Sequence, residues 1–445
     1  MHASSIHLVN ALAASDETRD SRCDGAPIAS PLDAQSRQRG RRIAISSHPL
    51  GMTFSMAFSS HLPTLALVSL GAGEAMVGVQ SALGGASLLR LPTLRAVAHV
   101  SKRSILIGGQ IGALLGVLPL LFFPLLAEWG AQGGAAVESV LASLVVLTCF
   151  LAIGDTVWFP LLRSYVEPER IGRFFGTLRT GWHLALIVYF LAARAWLDAR
   201  PDDYAPLFGL AWLCGLLRVA FIARLPERSE RTGERIRIRE AFELLRTNRP
   251  LRRYLLGVTL SGAVRTSVLP FVLVMMRREI GFEDGQILYT TVALFAGGFV
   301  SLYLWGRVVD RVGPAPVFLV STLGRSLLIL ALVGMNEPGT GTLIALVGFF
   351  FVYSVLLSGF GVADTHVLFG LTPPEAPTRT LVIAAVVATL FASLAPLVTG
   401  IVLENLLAAA PMRLVVYHGF FALAALIQLL SFLPLRDFRR AGNER

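Results

Sequence analysis

Lysine is all but missing from this chain: of 39 basic residues only Lys102 is not an arginine, a bias that reads as the codon usage of a GC-rich genome rather than as function. Charge of either sign is scarce. Charged residues make up 15% of the sequence, against roughly 25% in soluble domains, which excludes a soluble globular protein. Cys23, Cys149 and Cys214 are the whole cysteine complement and show no metal-ligand spacing, so neither a disulfide framework nor a metal site is implied. No G-x-x-x-x-G-K-S/T stretch occurs, which argues against ATP as a driving force, and no motif asks for a cofactor.

What is present is apolar. Hydrophobic residues reach 54% and the mean hydropathy is +0.65, so the first partner of this chain is a lipid bilayer. The net charge of +10 would suggest nucleic acid in a soluble domain. In a membrane protein it must first be sorted by side, and no nucleic-acid partner is expected.

A membrane-spanning helix needs about 20 predominantly apolar residues. Twelve such runs occur, at 50–70, 75–92, 105–127, 139–161, 174–196 and 205–224, then at 254–276, 287–305, 316–334, 341–366, 380–404 and 412–434. The expected fold is therefore an all-α integral membrane protein with twelve transmembrane helices in two six-helix bundles, 43–224 and 254–434. With inner helix ends included, 29 Lys and Arg fall on the side of the N-terminus, against Arg194, Arg200, Arg277, Arg278 and Arg413 on the other. By the positive-inside rule both termini are cytoplasmic. Residues 1–42 are polar and without sustained periodicity, which predicts a disordered cytoplasmic tail; 435–445 form a short C-tail. In the central loop, 225–253, Ile238, Phe242 and Leu245 repeat at helical spacing between charges, which predicts an amphipathic helix on the inner membrane face.

Between the eighth and ninth runs lies Gly306-Arg307-Val308-Val309-Asp310-Arg311-Val312-Gly313, a polar octapeptide just long enough to turn one helix into the next. An acid and two arginines are too costly inside hydrocarbon, so it reads as a hinge at a membrane surface. The halves also repeat. Asp155-Thr156, Pro168 and Arg170 recur as Asp364-Thr365, Pro377 and Arg379 at an offset of 209. An offset of 212 lays Arg95, Ala98, His99 and Ser101 on Arg307, Asp310, Arg311 and Gly313, so the first-half copy lacks the acid.

Twelve spans in two sixes, a basic central loop and the G-x-x-x-D-R-x-G octapeptide together resemble the major facilitator superfamily. The stretch Val166-Glu167-Pro168-Glu169-Arg170-Ile171-Gly172-Arg173 is similar to that family's loop after the fourth span. The chain departs from the pattern after Gly313, where Pro314 and Ala315 replace basic residues. The resemblance implies that Gly306, Asp310, Arg311 and Gly313 form a cytoplasmic latch for one of two alternating states, with Asp364 and Arg379 as partners. With Ala98 in place of an acid, that latch is expected to be one-sided.

Charges deep in a span mark pathways by default. At 1.5 Å per residue, Arg265 lies about 16 Å from the inner start of its span, near the midplane, and the resemblance places that span beside a central path. Arg265 then receives a carboxylate or phosphate of the solute, or else pairs with an acid of a neighbouring helix. Arg179 and Arg218 are expected to snorkel inward, and Arg325 ranks below Arg265. Further candidate substrate contacts are His61, Asp155 and the Trp158 ring, and a proton relay would use His183 and His366. Each of these also fits a packing role. No acid sits mid-membrane in the first or seventh span, so proton-coupled and facilitative transport both remain open.

The resulting expectation is a secondary transporter, not an enzyme, in a bacterial inner membrane. It would move a small organic solute, for which Arg265 favours an anionic group, by alternating access, as a monomer. The competing readings are a non-transporting scaffold or sensor acting through its tail and, further off, a membrane-embedded lipid-modifying enzyme.

Overall fold

The computed structural model describes residues 32–438 except 98, 131–134, 167–170, 228–245 and 372–376. The N-terminal tail to residue 31, Ala98, the 167–170 stretch, the amphipathic segment around Phe242, the tail beyond 438 and the Arg379 side chain thus lie outside the description. Among the described residues every regular element is helical. The first half holds α1 (Ala34–Ala57), α2 (His61–Ser69), α3 (Glu74–Ala82), α4 (Arg90–Ala96), α5 (Lys102–Gly116), α6 (Phe123–Gly130), α7 (Ala135–Arg163), α8 (Ile171–Ala199) and α9 (Ala205–Ile222). The second holds α10 (Arg249–Met275), α11 (Asp284–Val312), α12 (Pro314–Ala331), α13 (Thr340–Gly370), α14 (Pro377–Ala409) and α15 (Arg413–Leu430).

Nine helical segments among these residues are long and apolar enough to cross a membrane, and ten if α11, bent by 49° between Ser301 and Tyr303, counts as one span. The other two expected runs are helical but broken. The first is α1 and α2 with a turn at 58–60, and the second is α3 and α4 joined by the 3-10 segment Leu83–Leu89, which contains Gly84 and Gly85. The tail expectation is corrected at its end: 34–42 belong to α1, because Asp33 caps the helix by accepting the Ser36 amide at 3.2 Å. Similar caps start α5, where Ser101 accepts from Ser104, and α10, where Asn248 accepts from Leu251.

The octapeptide is also corrected. Residues 306–312 are the last turns of α11, and Gly313 alone joins it to α12. Gly313 has φ +82°, a conformation that strains any residue with a Cβ, and Pro314 then opens the next helix. Two more left-handed glycines, Gly71 (φ +84°) and Gly281 (φ +87°), make the turns into α3 and α11 and stand 210 residues apart.

Packing repeats as the sequence does. In the first half α1 packs on α8 and α9, and α5 on α7 and α9; in the second α10 packs on α14 and α15, and α12 on α13 and α15. The halves meet chiefly along two helix pairs, α3 on α14 and α8 on α11, which a two-fold axis relating the halves would exchange; α10 also touches α2 and α3, and α11 touches α2. Because successive spans reverse direction, one end carries the start of α1 and the α11–α12 turn, here the terminal end. The far end carries the turns at 71–73, 200–204, 281–283 and 410–412.

Candidate functional site: the seam between the halves

Cross-half contacts among the described residues run from the far end to the middle of each seam helix, where Gly84 of the 3-10 segment meets Ser393 of α14 and His61 bonds to Thr291. On α3 and α14 they involve Glu74, Ala75, Gly78, Pro396, Gly400 and Glu404. On α8 and α11 they run from Gly285 against Asp198, through Phe190 stacked on Phe295 at 5.5 Å, to His183 against Gly298. Among the described residues no side-chain hydrogen bond or ion pair joins 86–96 to 383–388 or 173–181 to 303–310. The polar contacts between the halves thus gather toward the far end.

The far end is closed by two polar stations with a shared plan. In one, Asp284, the first residue of α11 and buried, accepts the Tyr204 hydroxyl and pairs with Arg277 Nε at 3.1 Å. Arg277 also reaches Asp202 at 2.9 Å and the Leu65 carbonyl at 2.6 Å. In the other, Glu74, the first residue of α3 and buried, accepts the Tyr417 hydroxyl at 3.0 Å and pairs with Arg278 at 3.0 Å and Arg413 at 3.7 Å. Arg278 also donates to the Ala72 carbonyl, and Arg413 meets Glu279 at 2.8 Å. Each station thus joins an acid at the start of one half's helix to a tyrosine of the other half. Acids at that position are favoured by the free amides and dipole of a helix N-terminus. Burial, then the Asp284 charge, holds the Tyr204 phenol well above its usual range, so it stays a donor. The symmetry covers acids and tyrosines only; Arg277 and Arg278 both come from the turn after α10.

Sequence reasoning missed these stations. Arg277, Arg278 and Arg413 enter it only as far-side charges. The signal was available: Glu74 and Asp284 differ by 210, the spacing of Gly71 and Gly281 before them.

The residues expected from sequence fall into separate groups. Asp155 is half exposed and 3.9 Å from Arg90, whereas Asp364 accepts the Tyr254 hydroxyl at 2.5 Å. Each is thus held within its own half. Arg265 is exposed, forms no ion pair with a described residue, and its charge bears on Asp364 and Arg325. It stands nine residues, hence about half a turn of phase, from the exposed Leu256. His61 is buried in the seam, bonded to Thr291 Oγ1 at 2.6 Å with its ring edge-on to Phe350. His183 is buried beside Trp182, its Nδ1 2.8 Å from the Arg179 carbonyl oxygen. His366 is exposed.

Trp158 is buried in the first half, stacked on His48 and beneath Arg218 at 5.2 Å, because the indole is the apolar cover that a buried guanidinium needs. Arg218 correspondingly does not snorkel; it is buried and bonded to Gln110 at 3.0 Å. Arg325 is fully buried, bonded to Ser261 at 3.0 Å and set over Phe360. Arg179 is exposed. At the expected latch, Gly306 is partly exposed, Asp310 and Arg311 are exposed, and Asp310 forms no ion pair with a described residue. The two are not assembled with Asp364, whose partner is Tyr254. Among the described residues no group of His, Cys, Asp or Glu could hold a metal ion.

A multi-pass membrane protein is thereby defined, with two pseudo-symmetric helical halves closed against each other at one end. Its fold is shared with several solved membrane transporters. The nucleoside transporter NupG superposes with a TM-score of 0.68 at 14% identity, over 89% of this chain and 99% of that one. A bacterial homologue of the iron transporter ferroportin superposes in its inward-facing state with a TM-score of 0.65 at 16% identity, over 89% and 99%. In its outward-facing state the score is 0.56 at 17% identity, over 88% and 99%. No protein-family model matches the chain, and no curated protein matches its sequence.

Proposed function

We propose that the chain is a secondary transporter that moves a small organic solute across the inner membrane by rocking one half against the other. The observation that carries this reading is the one-ended seam. Ion pairs and hydrogen bonds between the halves gather at the far end, and a two-state element needs such an arrangement to expose a path to one side at a time. With both termini cytoplasmic, as the arginine distribution requires, the far end is the outer gate and the conformation faces inward. The higher superposition on the inward-facing ferroportin homologue supports that assignment.

Arg265 faces the path and selects solutes with an anionic group, and Asp310 with Arg311 latches the terminal end when the halves close there. Proton coupling would run through His61 and His183, the histidines of the seam, or through His366 beside Asp364. A ligand-stability screen on purified protein at several pH values tests substrate and coupling together. An anionic compound that raises the melting temperature of the wild type and not of Arg265→Ala supports the reading; undiminished stabilisation and uptake of every anionic candidate by Arg265→Ala defeats the anionic assignment.

A further inference from the structure

A second symmetric device lies just beside the polar stations. Glu404, on the far part of α14, accepts the Ala75 amide at 2.7 Å, a bond from one half to the first turn of α3 in the other. The helix has no side-chain cap of its own, because its N-cap residue is Gly73. A Cβ on Gly73 would lie 2.4 Å from Glu404 Oε2, so the glycine is what lets the carboxylate in.

The other seam has a related arrangement. Asp198, in the last turn of α8, sets Oδ1 where a Cβ on Gly285 would be, 1.8 Å from it, in the first turn of α11. Asp198 and Glu404 differ by 206, and Gly73 and Gly285 by 212, close to the repeat offset of the halves. The two arrangements differ in three respects: among the described residues Asp198 accepts no amide of α11, that helix carries its own capping box of Glu283 and Gln286, and Asp198 pairs with Arg194 at 2.5 Å, which lies over Tyr289 of α11 at 4.4 Å.

We propose that Asp198 and Glu404 are paired carboxylate locks of the far end. Each docks from the C-terminal part of one half's helix onto the positive N-terminal turn of the other half's, in a space kept by Gly285 or Gly73, and each must leave before the end opens. A carboxylate is attracted there by the helix dipole, and Glu404 also by the Ala75 amide, which has no cap of its own helix. On opening it is rehydrated while the amides face water, so the lock is reversible. The inference rests on the alternating-end reading above.

The test uses the full chain in lipid nanodiscs, with native cysteines replaced and spin labels at the exposed far-end positions Glu128 and Met412. Electron-electron distance distributions are recorded for the parent, Asp198→Asn, Glu404→Gln, the double variant, and Gly73→Ala. Each neutralisation should raise the long-distance, open population about fivefold, and the double variant by about the product. Gly73→Ala is the discriminating variant. Its backbone, at φ −68°, accepts alanine, and the three atoms nearest the methyl all belong to the Glu404 carboxylate, so it should shift the distribution as Glu404→Gln does. Two populations in the parent with an unmoved ratio in the variants would overturn the locks alone. A single short distance in parent and all variants would overturn the locks and the alternating-end reading together.

Discussion

The two seams hold equivalent places in the fold and are built from opposite materials. Where α3 meets α14, small residues bring the backbones together: a Cβ on Gly78 would lie 2.5 Å from the Pro396 carbonyl oxygen, and one on Gly400 2.5 Å from that of Glu74. Where α8 meets α11, rings fill the gap, with Phe190 stacked on Phe295 and Trp182 edge-on to it. In lipid no hydrophobic force drives helices together, so association depends on close packing and on polar contacts. Both solutions supply that. The glycine seam is rigid in position and intolerant of added volume, whereas the aromatic seam can repack.

The stations differ in the same way. Glu74 answers to two arginines, while Arg277 is shared by two acids. This asymmetry sets the order of the expected effects. Glu74→Gln leaves Arg278 and Arg413 around a neutral group, and should weaken the closed far end by about 3 kcal/mol, the lower range for breaking a buried pair since both arginines are partly exposed. Its check is a lowered melting temperature with faster far-end cysteine labelling. Gly400→Leu should follow at about 2 kcal/mol, as overpacking between two backbones does, seen as a lowered melting temperature. Asp284→Asn should weaken the end by only about 1.5 kcal/mol, because Arg277 keeps Asp202 at 2.9 Å; labelling faster than in Glu74→Gln would reverse the ranking of the stations. Phe295→Leu should come last, at about 1 kcal/mol, since the neighbouring rings can close on the smaller side chain. If Phe295→Leu proved as damaging as Gly400→Leu, the distinction between a rigid and an adaptable seam would fail.

Much of this was legible in the residues. The apolar runs, their division into two sets and the 209-residue offset carrying Asp155 to Asp364 all precede the structure, and bilayer thickness enforces them. The breaks in the first two runs were not legible, because a kink at Ser59 and Ser60 or at Gly84 and Gly85 leaves composition apolar. The octapeptide misled for a related reason: polar residues at a helix end look the same whether they continue the helix or leave it, and the turn needed only Gly313. The stations stayed hidden because charges at the far end serve equally as headgroup anchors. Which acid an arginine such as Arg278 meets depends on how the halves dock, and 204 residues separate it from Glu74. Arg218 was misplaced, since periodicity does not say that Trp158 covers it.

The central claim is that the far end is a closed gate held by the stations, with the proposed path behind it opening to the other side. The most direct test is the labelling rate of a single cysteine at Thr291, which is fully buried in the seam, in a chain with Cys23, Cys149 and Cys214 replaced. A membrane-impermeant maleimide is added to the outer side of right-side-out vesicles. The account predicts a protected Cys at 291 in the otherwise native protein and a rate raised about a hundredfold by Glu74→Gln, matching about 3 kcal/mol. Rapid labelling of the otherwise native protein, or an unchanged rate in Glu74→Gln, would contradict it.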